Sequence, residues 1–260
     1  MSGARKPAAV GSFYPGDPDE LAREVDELLA AAAAPAAAAA PPRALIVPHA
    51  GYAYSGPIAA SAYALLAGAE VERVILLGPA HFVPLFGTAV PAADAWATPL
   101  GEVAVDAELK TAAAVAGAVV DDDPHQPEHS LEVQLPFLQR SLEPGFSVLP
   151  IAVGRCAAEE VAGILDALAA GPLIVCSTDL SHYNDIETAR ELDRRTADAV
   201  LARDHESIGQ YDACGCFALN GLLEFARRSE LEVFELDLRT SGDTAGDGSR
   251  VVGYGAFALA

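Results

Sequence analysis

Leu45-Ile46-Val47-Pro48-His49-Ala50-Gly51-Tyr52 is the stretch on which the fold turns. A short apolar run stops at Pro48, which cannot donate to a sheet ladder, then carries a histidine at its tip and turns through Gly51. Val74-Ile75-Leu76-Leu77-Gly78-Pro79-Ala80-His81 repeats the design. Leu173-Ile174-Val175-Cys176 runs into Ser177-Thr178-Asp179-Leu180-Ser181-His182, which adds a carboxylate and a third imidazole. Continuous apolar runs of this length suit strands buried on both faces of a parallel sheet. Ligands of open parallel sheets bind outside the carboxyl ends of the strands, so the three tips predict one shared site.

The segments between these runs read as helices. Asp17-Pro18 supplies an N-cap and a first-turn proline, and Leu21, Val25, Leu28 and Leu29 follow at helical spacing. Further helices are expected over 58–66, 107–116, 157–169, 187–202 and 217–228, with a strand over 146–153. Thr98-Pro99-Leu100-Gly101 predicts a hairpin. Leu131, Leu135, Leu138 and Leu142 predict a helix that Pro136 kinks. Residues 231–238 and 250–259 read as two closing strands joined by a Gly- and Asp-rich loop. The alternation predicts an α/β fold with a mostly parallel central sheet and helices on both faces. A single domain over residues 1–260 is expected, with an Ala/Pro-rich connector over 30–42.

A net charge of -21 sets the chain against nucleic-acid backbones and anionic membrane surfaces as partners. No apolar stretch approaches the roughly 18 residues of a membrane span, and the first residues lack a signal-like apolar region, so a soluble cytoplasmic protein is expected. Four cysteines without framework spacing do not suggest a disulfide scaffold.

Imidazole and carboxylate converging at strand tips suit an iron, zinc or copper site. Cys214-Gly215-Cys216 precedes a predicted helix, whose dipole would lower a thiol pKa and favour a soft ligand or a nucleophile. For Cys216, followed by Phe217 and Ala218, apolar packing is the preferred reading, as it is for Cys156 and Cys176. His125 and His129 have the spacing of a helical metal pair, but Pro127 opposes a helix there. Glu128-His129 can be an acid/base or ligand-supporting pair in the cleft, or a capped helix start. His205, beside Asp204 and Glu206, reads as a solvated surface residue. Asp243 to Gly248 is no calcium loop, because Ala245 replaces an oxygen ligand and Tyr254 stands where the closing Glu should be.

Gly11-Ser12-Phe13-Tyr14-Pro15, Pro48-His49-Ala50-Gly51-Tyr52, Gly78-Pro79-Ala80-His81, Glu128-His129-Ser130-Leu131-Glu132-Val133-Gln134-Leu135-Pro136, Ser177-Thr178-Asp179-Leu180-Ser181-His182 and Cys214-Gly215 together resemble the Memo family, in that order. Bacterial and archaeal members are called AmmeMemoRadiSam system protein B, which implies AMMECR-type and radical SAM proteins as partners. The resemblance implies a fold similar to the class III extradiol, LigB-type, non-haem iron dioxygenases. It also implies His49, His81 and Cys214 as metal ligands, Asp179 and His182 in the same pocket, and copper or iron as the metal. Phe82 replaces a histidine and Cys216-Phe217 replaces an Arg-His pair of the animal members, which are described as phosphopeptide-binding. Relative to the dioxygenases, a cysteine stands where a carboxylate completes the iron site. Thiolate favours Cu(I) or zinc over an O2-activating iron centre.

Three functions follow as expectations. The first is a metal-dependent oxidoreductase in which His49, His81 and Cys214 hold one copper or iron ion (or zinc), Asp179 assists, and His182 is the general acid/base. The second is a non-catalytic module whose cleft holds a peptide or a modified side chain of a partner protein within a radical SAM assembly, where the first expects a small molecule or peptide. The third is a cysteine or zinc hydrolase using Cys214 with His182.

Overall fold

The computed structural model describes residues 3–32, 42–168 and 171–260. Most of the Ala/Pro connector lies outside them. In chain order the elements are α1 (Pro18–Ala31), β1 (Ala44–Val47), α2 (Tyr52–Tyr63), β2 (Arg73–Pro79), β3 (Thr88–Val90), β4 (Ala95–Thr98), β5 (Gly101–Val105), α3 (Ala107–Val115) and β6 (Val119–Val120). They continue with α4 (Leu135–Ser141), β7 (Ser147–Val153), α5 (Ala158–Leu168), β8 (Leu173–Ser177), β9 (His182–Asn184), α6 (Ile186–Ala202), α7 (Cys216–Arg228), β10 (Val233–Thr240) and β11 (Val251–Leu259).

The sheet order is β10-β11-β1-β8-β2-β7-β3-β6, with β5 also on β7 and β4 on β5. The centre β1-β8-β2-β7 is parallel throughout, as the buried apolar runs predicted, while β11, β10 and β3 are antiparallel additions and the β4–β5 hairpin joins β7 in parallel through β5. β7 contains Pro150, which has no N–H to donate. Its outer edge pairs with β5 at Ser147 and Val148 and with β3 at Ala152 and Val153, so the proline falls in the gap between two partners. Helices α1, α2 and α4 pack together, with α2 against β1, β10 and β11; α7 packs on β2 and β8 with α5 against it, and α6 packs on β10 and β11.

Register decides where the site forms. Val47 lies opposite Ser177, Leu77 opposite Cys176, and Pro79 opposite Val153. The parallel strands therefore finish nearly level, and His49, Asp179 and His81 leave from the same edge of the sheet.

Local chemistry accounts for the helix starts. The Asp17 side chain accepts from the Asp19 and Glu20 N–H groups and caps α1, and Asp106 caps α3 through Glu108 and Leu109. Two helices depart from expectation. α2 starts at Tyr52, directly after the Gly51 turn, rather than at residue 58. Pro136 does not kink a long helix. A 3-10 turn over Glu132–Gln134 comes first and α4 opens at Leu135, so Pro136 occupies the first turn, where its missing N–H has no partner to lose. Among the described residues no helix is long and apolar enough to cross a membrane.

Candidate metal centre

The tip of β1 is tied to the tip of β8 before any ligand is considered. The Thr178 N–H donates to Val47 O at 2.9 Å, and the His49 N–H donates to Asp179 Oδ1 at 2.7 Å. Asp179 is buried, and that burial pushes its carboxyl up to about 7 against the opposing hydrogen bonds from the His49 and Ala50 backbone. It acts as an anchor for the His49 turn.

Cys214 is clamped onto the same tip from the far end of the chain. Its N–H donates to Asp179 O at 3.2 Å, its Sγ accepts the Asp179 N–H at 3.3 Å, and the Gly215 N–H donates to Thr178 Oγ1 at 2.9 Å. A Cβ on Gly215 would lie 2.8 Å from Thr178 Oγ1 and 2.9 Å from Ser177 O, so only glycine permits this approach. The result is a Cys214 Sγ to His49 Nε2 separation of 3.2 Å.

The expected dipole-lowered thiol is a point of correction. α7 begins at Cys216 with Gly215 as its N-cap, which leaves Cys214 outside the helix. Burial, reinforced by the nearby Asp179 carboxylate, pushes the Cys214 thiol well above its usual range. Cys216 is buried as apolar packing, as expected.

His81 completes a group with His49 and Cys214 whose candidate ligand atoms all lie within 4.8 Å of one another. The two imidazoles meet edge to face at 79° with centroids 5.2 Å apart. Burial, followed by the neighbouring imidazoles of His81, His129 and His182, holds His49 well below the usual histidine range and therefore neutral.

His81, Glu128 and His129 form a second group of the same compactness. Two observations oppose its use as a chelate. The His81 and His129 rings stack at 16° with centroids 4.9 Å apart. A ring nitrogen's lone pair lies in the ring plane, and stacked planes do not share an ion. Moreover, Glu128 is already occupied: Oε1 accepts from His81 Nδ1 at 2.9 Å and from the His129 and Ser130 N–H groups, and Oε2 accepts the His81 N–H at 2.6 Å. Burial pushes this carboxyl up, but the His81 bond and charge and the backbone donors outweigh it and hold it at about 2. Glu128 is thus an ionised support for His81. His129 sits beside the group, 5.5 Å from the His49 ring and against Phe13 at 4.4 Å, and burial brings its pKa down to about 4.

His182 donates Nδ1–H to Leu180 O at 2.8 Å, since a carbonyl can only accept, and this leaves Nε2 as a basic nitrogen. Burial keeps the ring below the usual histidine range, with His81 near enough to add like-charge repulsion. The next residue, Tyr183, is exposed and holds a left-handed φ of 61°. Phe82 is likewise exposed, with its ring 5.7 Å from that of His129.

Of the other histidines, His125 lies away from the cleft, buried against Trp96 with Nε2 3.1 Å from Ala89 O. His205 is not freely solvated but packs with Nε2 3.4 Å from Glu224 Oε2. Sequence reasoning passed over Ser177 and Gln134. Ser177 Oγ lies 2.8 Å from His49 Nδ1, and Gln134 Nε2 donates to Ser177 Oγ at 3.0 Å.

Comparison with known proteins comes to one family. A family model described as "Memo-like protein" matches residues 5–258. A MEMO1 family protein of Methanopyrus kandleri is 35% identical over 97% of this chain and 98% of its own length. One of Methanosarcina barkeri matches at 35% over the same shares, and one of Sulfolobus acidocaldarius at 34% over 96% and 97%. Among solved structures, that of an uncharacterized protein from Escherichia coli K12 is similar with a TM-score of 0.50 at 12% identity. It covers 82% of this chain and 98% of that one, a likeness of fold alone.

Proposed function

Since the chain belongs to the Memo family, we propose that it is a metal-binding protein with a redox-type oxidoreductase function centred on His49, His81 and Cys214. The observation that carries this is the approach of three donors of suitable type, from three distant parts of the chain, to within 4.8 Å. Two imidazoles and one sulfur suit copper or zinc, and iron less readily because no carboxylate is free to join them. Asp179 already accepts two backbone bonds and Glu128 four donors.

When bound, such an ion supplies one-electron redox or Lewis-acid chemistry. The protein's residues divide the remaining work. Asp179 holds the His49 turn and, through its backbone, the Cys214 turn. His182, with a bare Nε2, serves as a base that holds or moves a proton at the cleft. The raised Cys214 thiol counts against a hydrolase that needs a free thiolate at neutral pH.

A second reading draws on the exposed rings of Phe82 and Tyr183, which are 59% and 65% accessible beside His81 and His182. Aromatic rims of this kind suit a peptide or a side chain of a partner protein.

The deciding experiment is metal analysis of untagged protein after anaerobic loading with Cu(I), Fe(II) or Zn(II), alongside His49→Ala, His81→Ala and Cys214→Ser. One equivalent in the wild type and loss in each variant is expected. Equal contents in all four would remove the metal reading and leave the binding module.

A further inference from the structure

We infer that Gln134 and Glu128 are positioning residues that lock His49 and His81 as Nδ1–H tautomers, leaving a bare Nε2 on each. This follows from counting protons.

Gln134 is buried, and its amide orientation is fixed from two sides. Tyr63 donates its hydroxyl to Gln134 Oε1 at 2.9 Å, while Gln134 Nε2 lies 2.9 Å from Pro48 O. A flipped amide would set oxygen against the Pro48 carbonyl, so Nε2 is the group facing it. Tyr63 itself stacks on Phe137 at 6° with centroids 5.0 Å apart and does not move freely. The two amide hydrogens go to Pro48 O at 2.9 Å and Ser177 Oγ at 3.0 Å, the shorter two of three contacts, with Ser130 O at 3.4 Å a poorer alternative.

Ser177 has one proton. Ser130 O, a carbonyl that only accepts, lies 2.7 Å from Ser177 Oγ and takes it. With Gln134 donating to one Ser177 lone pair, the other is left facing His49 Nδ1 at 2.8 Å. That contact is a hydrogen bond only if Nδ1 carries the hydrogen. His49 Nε2 is therefore bare, and it is the nitrogen 3.2 Å from Cys214 Sγ.

His81 needs a single partner. Glu128 Oε1 accepts the His129 and Ser130 N–H groups, and His81 Nδ1 lies 2.9 Å from that same oxygen. Nδ1 therefore donates, and in the neutral ring Nε2 is bare.

The two locks differ in kind. His81 is backed by a carboxylate, which makes its free nitrogen the stronger donor, and His49 by a neutral hydroxyl. The segment Glu128 to Gln134 thereby supports both imidazoles from a single piece of chain.

The purpose of the lock rests on the metal reading above, but the tautomers do not, and the test separates the two. Long-range 1H–15N correlation spectra of the metal-free protein report which ring nitrogen of each histidine is protonated. Competition titration with Cu(I) and Zn(II) reports affinity. In the wild type, His49 and His81 are expected as Nδ1–H. Gln134→Met frees the Ser177 hydroxyl to turn, and Ser177→Ala removes only one oxygen, so it carries the test should the first variant not fold. Both are expected to give mixed His49 tautomers with His81 unchanged, and affinity lower by about 10- to 100-fold. A wild-type His49 protonated at Nε2 would overturn the inference. So would a Ser177→Ala protein with unchanged tautomer and affinity, even with one metal bound. The stated tautomers in a protein that takes up no metal would support the lock and dismiss the metal reading.

Discussion

Replacing Glu132 by glutamine tests how the N-terminal arm is held, because the change is isosteric and its cost can be worked out donor by donor. Glu132 Oε2 accepts from Arg5 Nη1 at 2.6 Å and from the Ala8 N–H at 2.7 Å. Oε1 accepts from the Ala9 N–H at 2.8 Å and the Tyr14 hydroxyl at 2.6 Å. Whichever way the introduced amide turns, its NH2 faces a backbone N–H, of Ala8 or of Ala9, and leaves it without an acceptor; only the Tyr14 hydroxyl can turn to accept. Each such buried group costs about 1–3 kcal/mol. The Arg5 guanidinium also loses its counter-charge where both side chains are essentially inaccessible, 1% and 0% exposed, and breaking a buried pair costs about 3–5 kcal/mol. The two figures describe the same event, so Glu132→Gln is expected to lose about 3–5 kcal/mol. Urea unfolding at about pH 7 and 25 °C, followed by circular dichroism, reads this from the midpoint and slope. Arg140→Gln is the control. Its pairing with Asp26 is bidentate, yet the side chains are 40% and 48% exposed and the pair is worth about 0–1 kcal/mol. A Glu132→Gln loss below about 1 kcal/mol, no larger than that of the exposed pair, would refute the reasoning.

Three further outcomes are expected. In Gly215→Ala the new Cβ meets Thr178 Oγ1 at 2.8 Å and Ser177 O at 2.9 Å, so denaturation should register a loss of about 1–3 kcal/mol; an unshifted midpoint would mean the Cys214 turn has slack. His125 is buried neutral, with its pKa brought down from 6.5 to about 4 mainly by burial, so its contribution to stability is full above pH 6.5 and is lost as pH falls through 4. The destabilisation caused by His125→Gln should therefore shrink by about 3 kcal/mol between pH 7 and pH 4, and a pH-independent difference between the two proteins would contradict it. Tyr183 holds φ at 61° with an exposed ring, so Tyr183→Asn should leave thermal stability unchanged or raise it by up to about 1 kcal/mol, whereas a clear drop in Tm would mean that its contacts with Arg250 and His182 outweigh the backbone strain.

Much of the fold was legible because its cues are local. The apolar runs before Pro48, Gly78-Pro79 and Ser177 are strands buried on both faces, as parallel strands covered by helices are. The Thr98 to Gly101 turn closes the β4–β5 hairpin at the register its turn residues suggested. What escaped reading depended on partners far away in sequence. The Cys214 thiol was expected to feel a helix dipole, yet its pKa is set by burial and by Asp179, 35 residues earlier. The shared face of the leucines on either side puts Pro136 inside a helix, and nothing local marks the 3-10 turn that precedes α4. Ser177 read as the end of a strand, and its role appears only when Gln134 and His49 reach it from other elements.

The segment from Glu128 to Gln134 explains why distance matters here. Glu128, Ser130, Glu132 and Gln134 are all at most 1% exposed, and buried polar groups are costly unless paired. None of the four relies on its neighbours alone. Glu128 holds His81, Ser130 donates to Pro79 O at 3.1 Å, Glu132 holds Arg5, and Gln134 holds Pro48 and Ser177. Arg5 returns to the same segment from the N-terminal arm, giving Nη2 to Glu128 O at 2.6 Å and Nε to His125 O at 2.7 Å. The segment is a loop that ends in a 3-10 turn, and its side chains answer to two strand tips and the N-terminal arm. The arm, the segment and the two imidazoles therefore form one hydrogen-bonded unit, and loosening Arg5 acts on His81 through the Glu128 backbone without touching either ring.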